Sequence, residues 1–128
     1  MNIVDENVPD AECALLAKKR IRVQKIGKGV GRGGMDDDEI IPLLHQLDRP
    51  TFFTLDADFF RRQLAHEGYC LVHLEVSDDM VAEYVRRVLR HPSIDTKAKR
   101  MGLVIRAEPN GISILRVNAR KQEHLGWE

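Results

Sequence analysis

Apolar residues occur in two spacings along the chain, and together they predict alternating strands and helices. Short apolar runs with β-branched residues predict four strands, at residues 2–4, 21–26, 51–55 and 69–76. Apolar residues three and four positions apart, often preceded by acids and followed by bases, predict helices. These helices cover residues 9–20, 37–47, 57–67 and 77–90. The third predicted helix is short, and in the second Pro42 must lie within the first two turns or close to the helix start.

The order of these elements predicts an α/β fold. Strands that alternate with helices form mostly parallel sheets with right-handed crossovers and helices on both faces, which is a three-layer α/β/α sandwich. Two further apolar runs, at residues 101–107 and 112–117, flank Pro109-Asn110-Gly111 and predict a C-terminal β-hairpin. The 128 residues fit one domain, residues 1–128. Aromatic residues make up only 5% of the chain, so Val, Ile and Leu must supply the core.

The cysteines, the lengths of the apolar runs and the histidines indicate the compartment of the protein and the kinds of site it can contain. Cys13 and Cys70 lie far apart in apolar runs, which predicts buried thiols in a reducing compartment rather than a disulfide framework. No apolar run is long enough to span a bilayer, and the first residues lack the basic start of a secretory signal. These features predict a cytoplasmic protein with no membrane partner. The five histidines have no metal-ligand spacing, which argues against a zinc site.

Charge is balanced overall but segregated locally. Seven basic residues and no acidic one lie between Lys18 and Met35, and four acids follow at once, from Asp36 to Glu39. The basic stretch includes the loop GKGVGRGG, which lacks the Gly-Lys-Ser/Thr of a nucleotide P-loop. One interpretation makes it a mobile surface loop; the other makes Lys28 and Arg32 contacts for a nucleic-acid backbone.

Acidic residues also end two predicted strands. Asp5 follows the first strand and Asp56 follows the third, with Asp58 close behind. If these strands are neighbours, both acids lie beyond the carboxyl edge of the sheet, where ligands of parallel sheets bind. Carboxylates gathered there repel unless they hold protons or a hard divalent cation such as Mg²⁺ or Mn²⁺. Each acid alone could equally cap a helix or lie in solvent.

Three motifs in this order resemble a known family. They are VDENVP at the N-terminus, DDDEI after the glycine loop and TLDADFF after the third strand, and they resemble PIN-like proteins related to VapC-type toxin ribonucleases. The similarity in order and spacing runs from Val4 to Val76 and weakens towards the C-terminus.

The resemblance implies a metal-dependent nuclease that hydrolyses phosphodiester bonds, usually of RNA, with Mg²⁺ or Mn²⁺ as cofactor. It also implies the toxin role of a toxin–antitoxin pair, with an antitoxin protein and a second copy of the chain as partners. By position, the catalytic and metal-binding residues would be Asp5, Asp37, Asp56 and Asp58. The three consecutive aspartates and Glu39 leave the helix ligand open. Residues that would support the site are Glu6, Asn7, Asp38 and Thr54.

Two alternatives differ in class. A catalytically silent PIN-like module would bind RNA or a protein partner without a working metal site. A response-regulator receiver also has acids after its first strand and an Asp after its third. The receiver pattern further requires a lysine at the end of the fifth strand, and no lysine stands at the end of the predicted strand 101–107.

Overall fold

The computed structural model describes residues 1–127, which form an α/β fold with one eight-stranded sheet and four α-helices. The strands are β1 (Asn2–Val4), β2 (Gln24–Ile26), β3 (Gly29–Val30), β4 (Thr51–Thr54), β5 (Cys70–Leu74), β6 (Leu103–Glu108), β7 (Gly111–Arg116) and β8 (Glu123–Leu125). The helices are α1 (Asp10–Lys18), α2 (Asp37–Gln46), α3 (Val81–Arg90) and α4 (Lys97–Arg100). Short 3₁₀ turns cover Ala57–Phe59, Arg62–Leu64 and Asp78–Met80.

The sheet is mostly parallel, as predicted, and its strand order is β3-β2-β1-β4-β5-β6-β7-β8. All neighbours from β3 to β6 run parallel, whereas β7 and β8 are antiparallel to the strands before them. The chain passes from β1 to β2 and β3 on one side, then returns to β4 on the other. The point where strand order reverses therefore lies between the carboxyl ends of β1 and β4. The predicted pairing of the first and third predicted strands is confirmed.

Helices cover both faces of the sheet because successive strand residues point in opposite directions. One core joins Val4 and Phe53 of the sheet to α1 and α3, through side chains such as Leu16 and Val85. The other core joins the neighbouring sheet residues to α2 and the first 3₁₀ turn; its members include Ile3, Phe52, Ile40, Leu44 and Phe59. In α2, Pro42 is the sixth residue and so lies within the first two turns, as predicted.

The C-terminal hairpin is confirmed, and it carries a strand that the apolar pattern did not predict. β6 and β7 pair in antiparallel register from Leu103–Arg116 to Glu108–Gly111, with Pro109 and Asn110 between them. β8 then adds to β7. Gly111, at φ 140°, is needed there, because a Cβ on this residue would collide with the carbonyl oxygen of Leu125. After β8, the Trp127 indole N–H donates to the Glu108 carbonyl at 2.8 Å.

Other elements differ from the apolar pattern in extent. The second predicted strand shortens to Gln24–Ile26, and part of the glycine loop pairs with it as β3. Residues 57–67 form two 3₁₀ turns instead of one helix. α4, which is only four residues long, was not predicted. These differences lie where a segment is too short for periodicity to identify its conformation.

The two cysteines are free thiols. Cys70 is buried as predicted, and burial raises the pKa of its thiol to about 12. Cys13, also predicted to be buried, is only half-buried, because it packs against one core but also lines a surface groove with Ala17 and Ile21. Among residues 1–127, every helix is too short and too polar to cross a membrane.

Candidate acidic site

The acidic site begins where β1 and β4 end side by side. Val4 is in register with Phe53, and the backbone N–H of Asp5 donates to the Phe53 carbonyl at 3.0 Å. Asp5 therefore lies beside Thr54, and Asp56 follows two residues later in the same sheet edge. The pairing that the sequence predicts brings the two strand-end acids to one place.

Thr54 connects these two acids. Its side chain is fully buried, and its hydroxyl donates to Asp5 Oδ2 at 2.8 Å. The hydroxyl oxygen of Thr54 in turn accepts the Asp56 backbone N–H at 3.0 Å. The other carboxylate oxygen of Asp5 accepts the backbone N–H of Glu6 at 2.8 Å. Asp5 is only 9% exposed and is held in a single orientation by these two bonds. Thr54, which the sequence predicts as a supporting residue, therefore orients the Asp5 carboxylate and the backbone at Asp56.

The start of α2 separates four consecutive acids into different positions. Asp36 precedes the helix, and its backbone N–H donates to Glu39 Oε1 at 3.3 Å. Glu39 also forms an ion pair with Arg32. Asp37, the first helical residue, is the acid that reaches the strand-end carboxylates. Helix geometry therefore distinguishes acids that are equivalent in the sequence.

Asp37, Asp56 and Asp58 form one carboxylate cluster, in which one oxygen from each residue lies within 4.8 Å of the others. Asp56 is half-exposed and the other two are exposed. The position of Asp58 is set by the turn, because its backbone N–H donates to Asp56 Oδ1 at 2.9 Å. Asp5 is not among the three: it lies behind them, close enough for its charge to act on Asp37.

The electrostatics of the site favour a bound cation or proton. Desolvation first, and then the charges of Asp56, Asp58 and Asp5, raise the pKa of Asp37 above its ordinary value. Burial raises the pKa of Asp5 too, and the Asp56 charge adds to it, while the Thr54 hydroxyl and the Glu6 N–H act in the opposite direction. Both shifts mean that burial, with a smaller contribution from neighbouring carboxylates, makes the charged forms of Asp37 and Asp5 costly in the folded chain.

The three oxygens suit a hard divalent cation. Two ligands on opposite sides of Mg²⁺ are about 4.2 Å apart, since each bond is about 2.1 Å long. A set of oxygens within 4.8 Å needs only a small side-chain adjustment to reach that span. Carboxylate oxygen is also the ligand that Mg²⁺ and Mn²⁺ prefer. The donor set and its spacing therefore fit either ion.

A groove of about 520 Å³ opens directly beside the cluster, and the sequence did not predict it. Its residues come from α2 and from the two 3₁₀ turns after Asp56. They are Asp37, Asp38, Ile41, Pro42, Asp58, Phe59, Arg61 and Leu64. Arg61 is the cation of this set and is exposed. The sequence pattern could not predict this groove, because two short turns and a helix start that meet only in the folded chain produce no periodic spacing of apolar residues.

The other predicted residues fall around the site at different distances. Glu6 Oε1 accepts the backbone N–H of Gly34 at 2.8 Å, which ties the glycine loop to the end of β1. Asn7 is exposed on the turn before α1, and Asp38 lies on the rim of the groove. Lys28 forms an ion pair with Asp10 at 3.0 Å, and Arg32 pairs with Glu39. Both basic side chains are mostly exposed, so these pairs are weak and open to competition from another anion.

Comparison with known proteins adds no assignment: no family model, no curated protein and no solved structure matches this chain.

Proposed function

We propose that this chain is a metal-dependent nuclease that hydrolyses phosphodiester bonds of RNA, with a PIN-like three-layer fold. The observation that supports it most directly is the carboxylate cluster of Asp37, Asp56 and Asp58, with oxygens within 4.8 Å. This cluster lies at the strand-order reversal of a mostly parallel sheet, where such sheets bind ligands. The motifs VDENVP and TLDADFF supply two of the strand-end acids in the order that the resemblance implies.

Each residue of the site has a distinct part in this chemistry. Mg²⁺ or Mn²⁺, when bound, supplies an activated water and neutralises charge that develops on the phosphodiester. Asp37, Asp56 and Asp58 would hold the ion, and the hydrogen bond from the Asp58 backbone N–H to Asp56 Oδ1 fixes the turn that carries two of these carboxylates. The charge of Asp5 adds to the negative electrostatic potential at these three carboxylates. The Thr54 hydroxyl fixes the orientation of the Asp5 carboxylate. The open groove beside the cluster leaves room for a nucleotide.

The proposal is tested by cleavage of a labelled RNA of mixed sequence. We expect cleavage with Mn²⁺, none with a chelator, and a loss of at least about a hundredfold in Asp37→Asn, because an anchor of the ion is removed. Asp48→Asn is the matched control, since Asp48 follows the opposite end of α2, lies outside the carboxylate cluster and has a side chain that is 88% exposed. Mn²⁺-induced thermal stabilisation, measured on the same samples, reports binding of the ion.

Two results would contradict the proposal in different ways. A parent chain that neither cleaves RNA nor gains stability with Mn²⁺ has no metal site here. A parent chain that binds RNA but does not cleave it with Mn²⁺ is a silent binding module. The partners implied by the resemblance, an antitoxin protein and a second copy of the chain, belong to the same proposal, and light scattering tests the second copy.

A further inference from the structure

A row of polar side chains extends from the acidic site across the sheet. Thr54 of β4 is in register with His73 of β5, and His73 is in register with Arg106 of β6. Register partners in parallel strands point to the same face of the sheet. Two residues earlier in each strand the same face is apolar and buried, with Phe52, Leu71 and Val104. The polar row is therefore a departure from the apolar pattern of this face, and it starts at the residue that orders Asp5.

Arg106 is held in one orientation by two neighbours. Its Nε–H donates to Nδ1 of His73 at 3.2 Å, and its guanidinium lies 4.2 Å from the centre of the Phe60 ring. His73 is only 3% exposed; burial and the nearby Arg106 charge lower its pKa, against the smaller opposing effects of Glu75 and Asp56. A neutral imidazole is the form that accepts the Arg106 hydrogen bond. The arginine is thus fixed by a neutral group and an aromatic ring.

The charge of Arg106 has no acidic counterpart among residues 1–127. No carboxylate oxygen in that range lies within 4.0 Å of its guanidinium, whereas Lys28, Arg32 and Arg116 each have such a partner. Arg106 as a whole is half-buried, so part of its side chain remains in contact with solvent. An immobilised arginine whose remaining N–H donors have no carboxylate partner among residues 1–127 is suited to bidentate binding of an external oxyanion.

Arg106 also lies close to the acidic site, two strands away from Thr54. Neighbouring strands are about 4.8 Å apart, so its Cα is about 10 Å from that of Thr54. Its aromatic partner Phe60 directly follows the turn Ala57–Phe59 that carries Asp58. Arg61, on the same loop, faces the groove beside the cluster. Two arginines therefore lie against the segment that carries Asp58: Arg61 in the groove and Arg106 over the Phe60 ring.

We propose that Arg106 binds a backbone phosphate of the nucleic-acid substrate, one that neighbours the phosphodiester at the carboxylate cluster, and that His73 is its positioning residue. This inference rests on the proposed function for the location of the scissile bond. The chain has no net charge, and its acidic cluster repels phosphate, so a nucleic acid needs fixed cations beside the cluster to lie across it. A carboxylate of a protein partner would be repelled by the cluster in the same way, and it offers no phosphodiester bond for the cluster to act on.

The test is binding of a fluorescein-labelled single-stranded RNA, followed by anisotropy at several salt concentrations in chelator, so that no cleavage occurs. We expect Arg106→Gln to weaken binding about tenfold, as for a lost charge-assisted hydrogen bond, and to reduce the slope of log affinity against log salt by about 0.7. Arg106→Lys should keep the slope but bind less tightly, because it retains the charge and loses the fork. Arg116→Gln, a strand arginine paired with Glu123, is the control and should change neither quantity.

The role of His73 is tested by a double-mutant cycle. His73→Leu should weaken RNA binding in the parent chain but have no further effect in Arg106→Gln, because it acts through Arg106. Thermal unfolding of each variant separates this from a loss of folded protein. Fully additive effects on binding would overturn the positioning role.

The outcomes separate this inference from the proposed function. If Arg106→Gln binds RNA with unchanged affinity and slope while the parent cleaves RNA with Mn²⁺, the inference is wrong and the nuclease stands. If Arg106 carries binding but no Mn²⁺-dependent cleavage occurs, the nuclease falls and the phosphate site stands. If the parent chain does not bind RNA at low salt but cleaves it with Mn²⁺, the inference is wrong and the nuclease stands. A parent chain that neither binds RNA at low salt nor cleaves it with Mn²⁺ overturns both.

Discussion

Asp56 belongs at once to the local turn and to the carboxylate cluster. Its Oδ1 accepts the Asp58 backbone N–H at 2.9 Å, and its charge raises the pKa of Asp37 and of Asp5. An amide at this position keeps the oxygen acceptor and removes the charge. Asp56→Asn therefore separates the structural contribution of the residue from its electrostatic one.

We expect metal-free Asp56→Asn to be as stable as the parent or more stable by about 1 kcal/mol, because repulsion within a solvent-screened cluster is relieved. With Mn²⁺ it should lose both the metal-induced rise in Tm and RNA cleavage. Urea unfolding, with and without Mn²⁺, measures the first effect. A variant that responds to Mn²⁺ and cleaves RNA like the parent would show that Asp56 is only a turn residue.

The raised pKa values of Asp37 and Asp5 predict a pH dependence. The folded chain holds these protons more tightly than the unfolded chain, so these groups favour folding at low pH. Their contribution to stability is lost as the pH rises from the ordinary value of about 3.8 through the raised values. Mn²⁺ competes with the same protons, so the stabilisation by Mn²⁺ should grow over this range and level off at higher pH.

Tm values measured with and without Mn²⁺ between about pH 4 and 8 check this expectation. In Asp37→Asn the Mn²⁺-induced shift should be small at every pH. Stabilisation by Mn²⁺ that is equally large at pH 4 and pH 8 in the parent would contradict proton competition at these carboxylates.

At the scale of the element, a side chain of α1 caps the start of α3. Glu12 is buried in α1, and its Oε1 accepts the backbone N–H of Ala82 in the first turn of α3 at 2.9 Å. The N-terminal N–H groups of a helix lack partners within the helix, and a carboxylate there also meets the positive end of its dipole. This bond joins residues 70 positions apart and orients α1 against α3.

We expect Glu12→Ala to lower the free energy of unfolding by about 1–3 kcal/mol, because it leaves a buried N–H without a partner. Glu12→Gln should lose less, since the amide oxygen can still accept the bond. Glu67→Ala is the control, as Glu67 is exposed. Chemical denaturation measures all three, and equal stabilities for Glu12→Ala and Glu67→Ala would rule out the cap.

At the scale of the whole molecule, charge is balanced but unevenly placed. Lys28 and Arg32 lie on the glycine loop at the β1–β2 side of the site, and Glu6 holds that loop through Gly34. The ion pairs of the two cations with Asp10 and Glu39 are on the surface and weak. A phosphate backbone can therefore replace these acids as a partner.

Lys28→Gln and Arg32→Gln should each weaken binding of all RNA sequences alike and reduce the salt slope by about 0.7. Binding to two RNAs of unrelated sequence, measured over a range of salt, tests this expectation. Lys121→Gln serves as the control, because Lys121 is exposed and lies in the segment between β7 and β8. An unchanged slope would leave the glycine loop as a connector with surface ion pairs.

Local patterns in the sequence determined much of this fold. The alternation of apolar runs and helical spacings predicted the α/β class, and Pro109-Asn110-Gly111 predicted the hairpin, because turn and periodicity signals act over a few residues. The placement of Asp5 and Asp56 after buried strands was equally local. Once β1 and β4 are neighbours, as predicted, chain geometry alone brings these acids to one edge of the sheet.

Only the tertiary structure decided which of several neighbouring acids reaches the site and which residues far apart in the chain contact each other. Only the helix start distinguishes Asp37 from Asp36 and Asp38, because their spacing in the sequence is the same and their directions in space differ. Glu12 lies in the first turn of its own helix, α1, but its carboxylate caps α3. The row from Thr54 to Arg106 arises from strand register, which no single segment encodes. Hydrogen bonds between segments far apart in the chain require the whole fold before their partners meet.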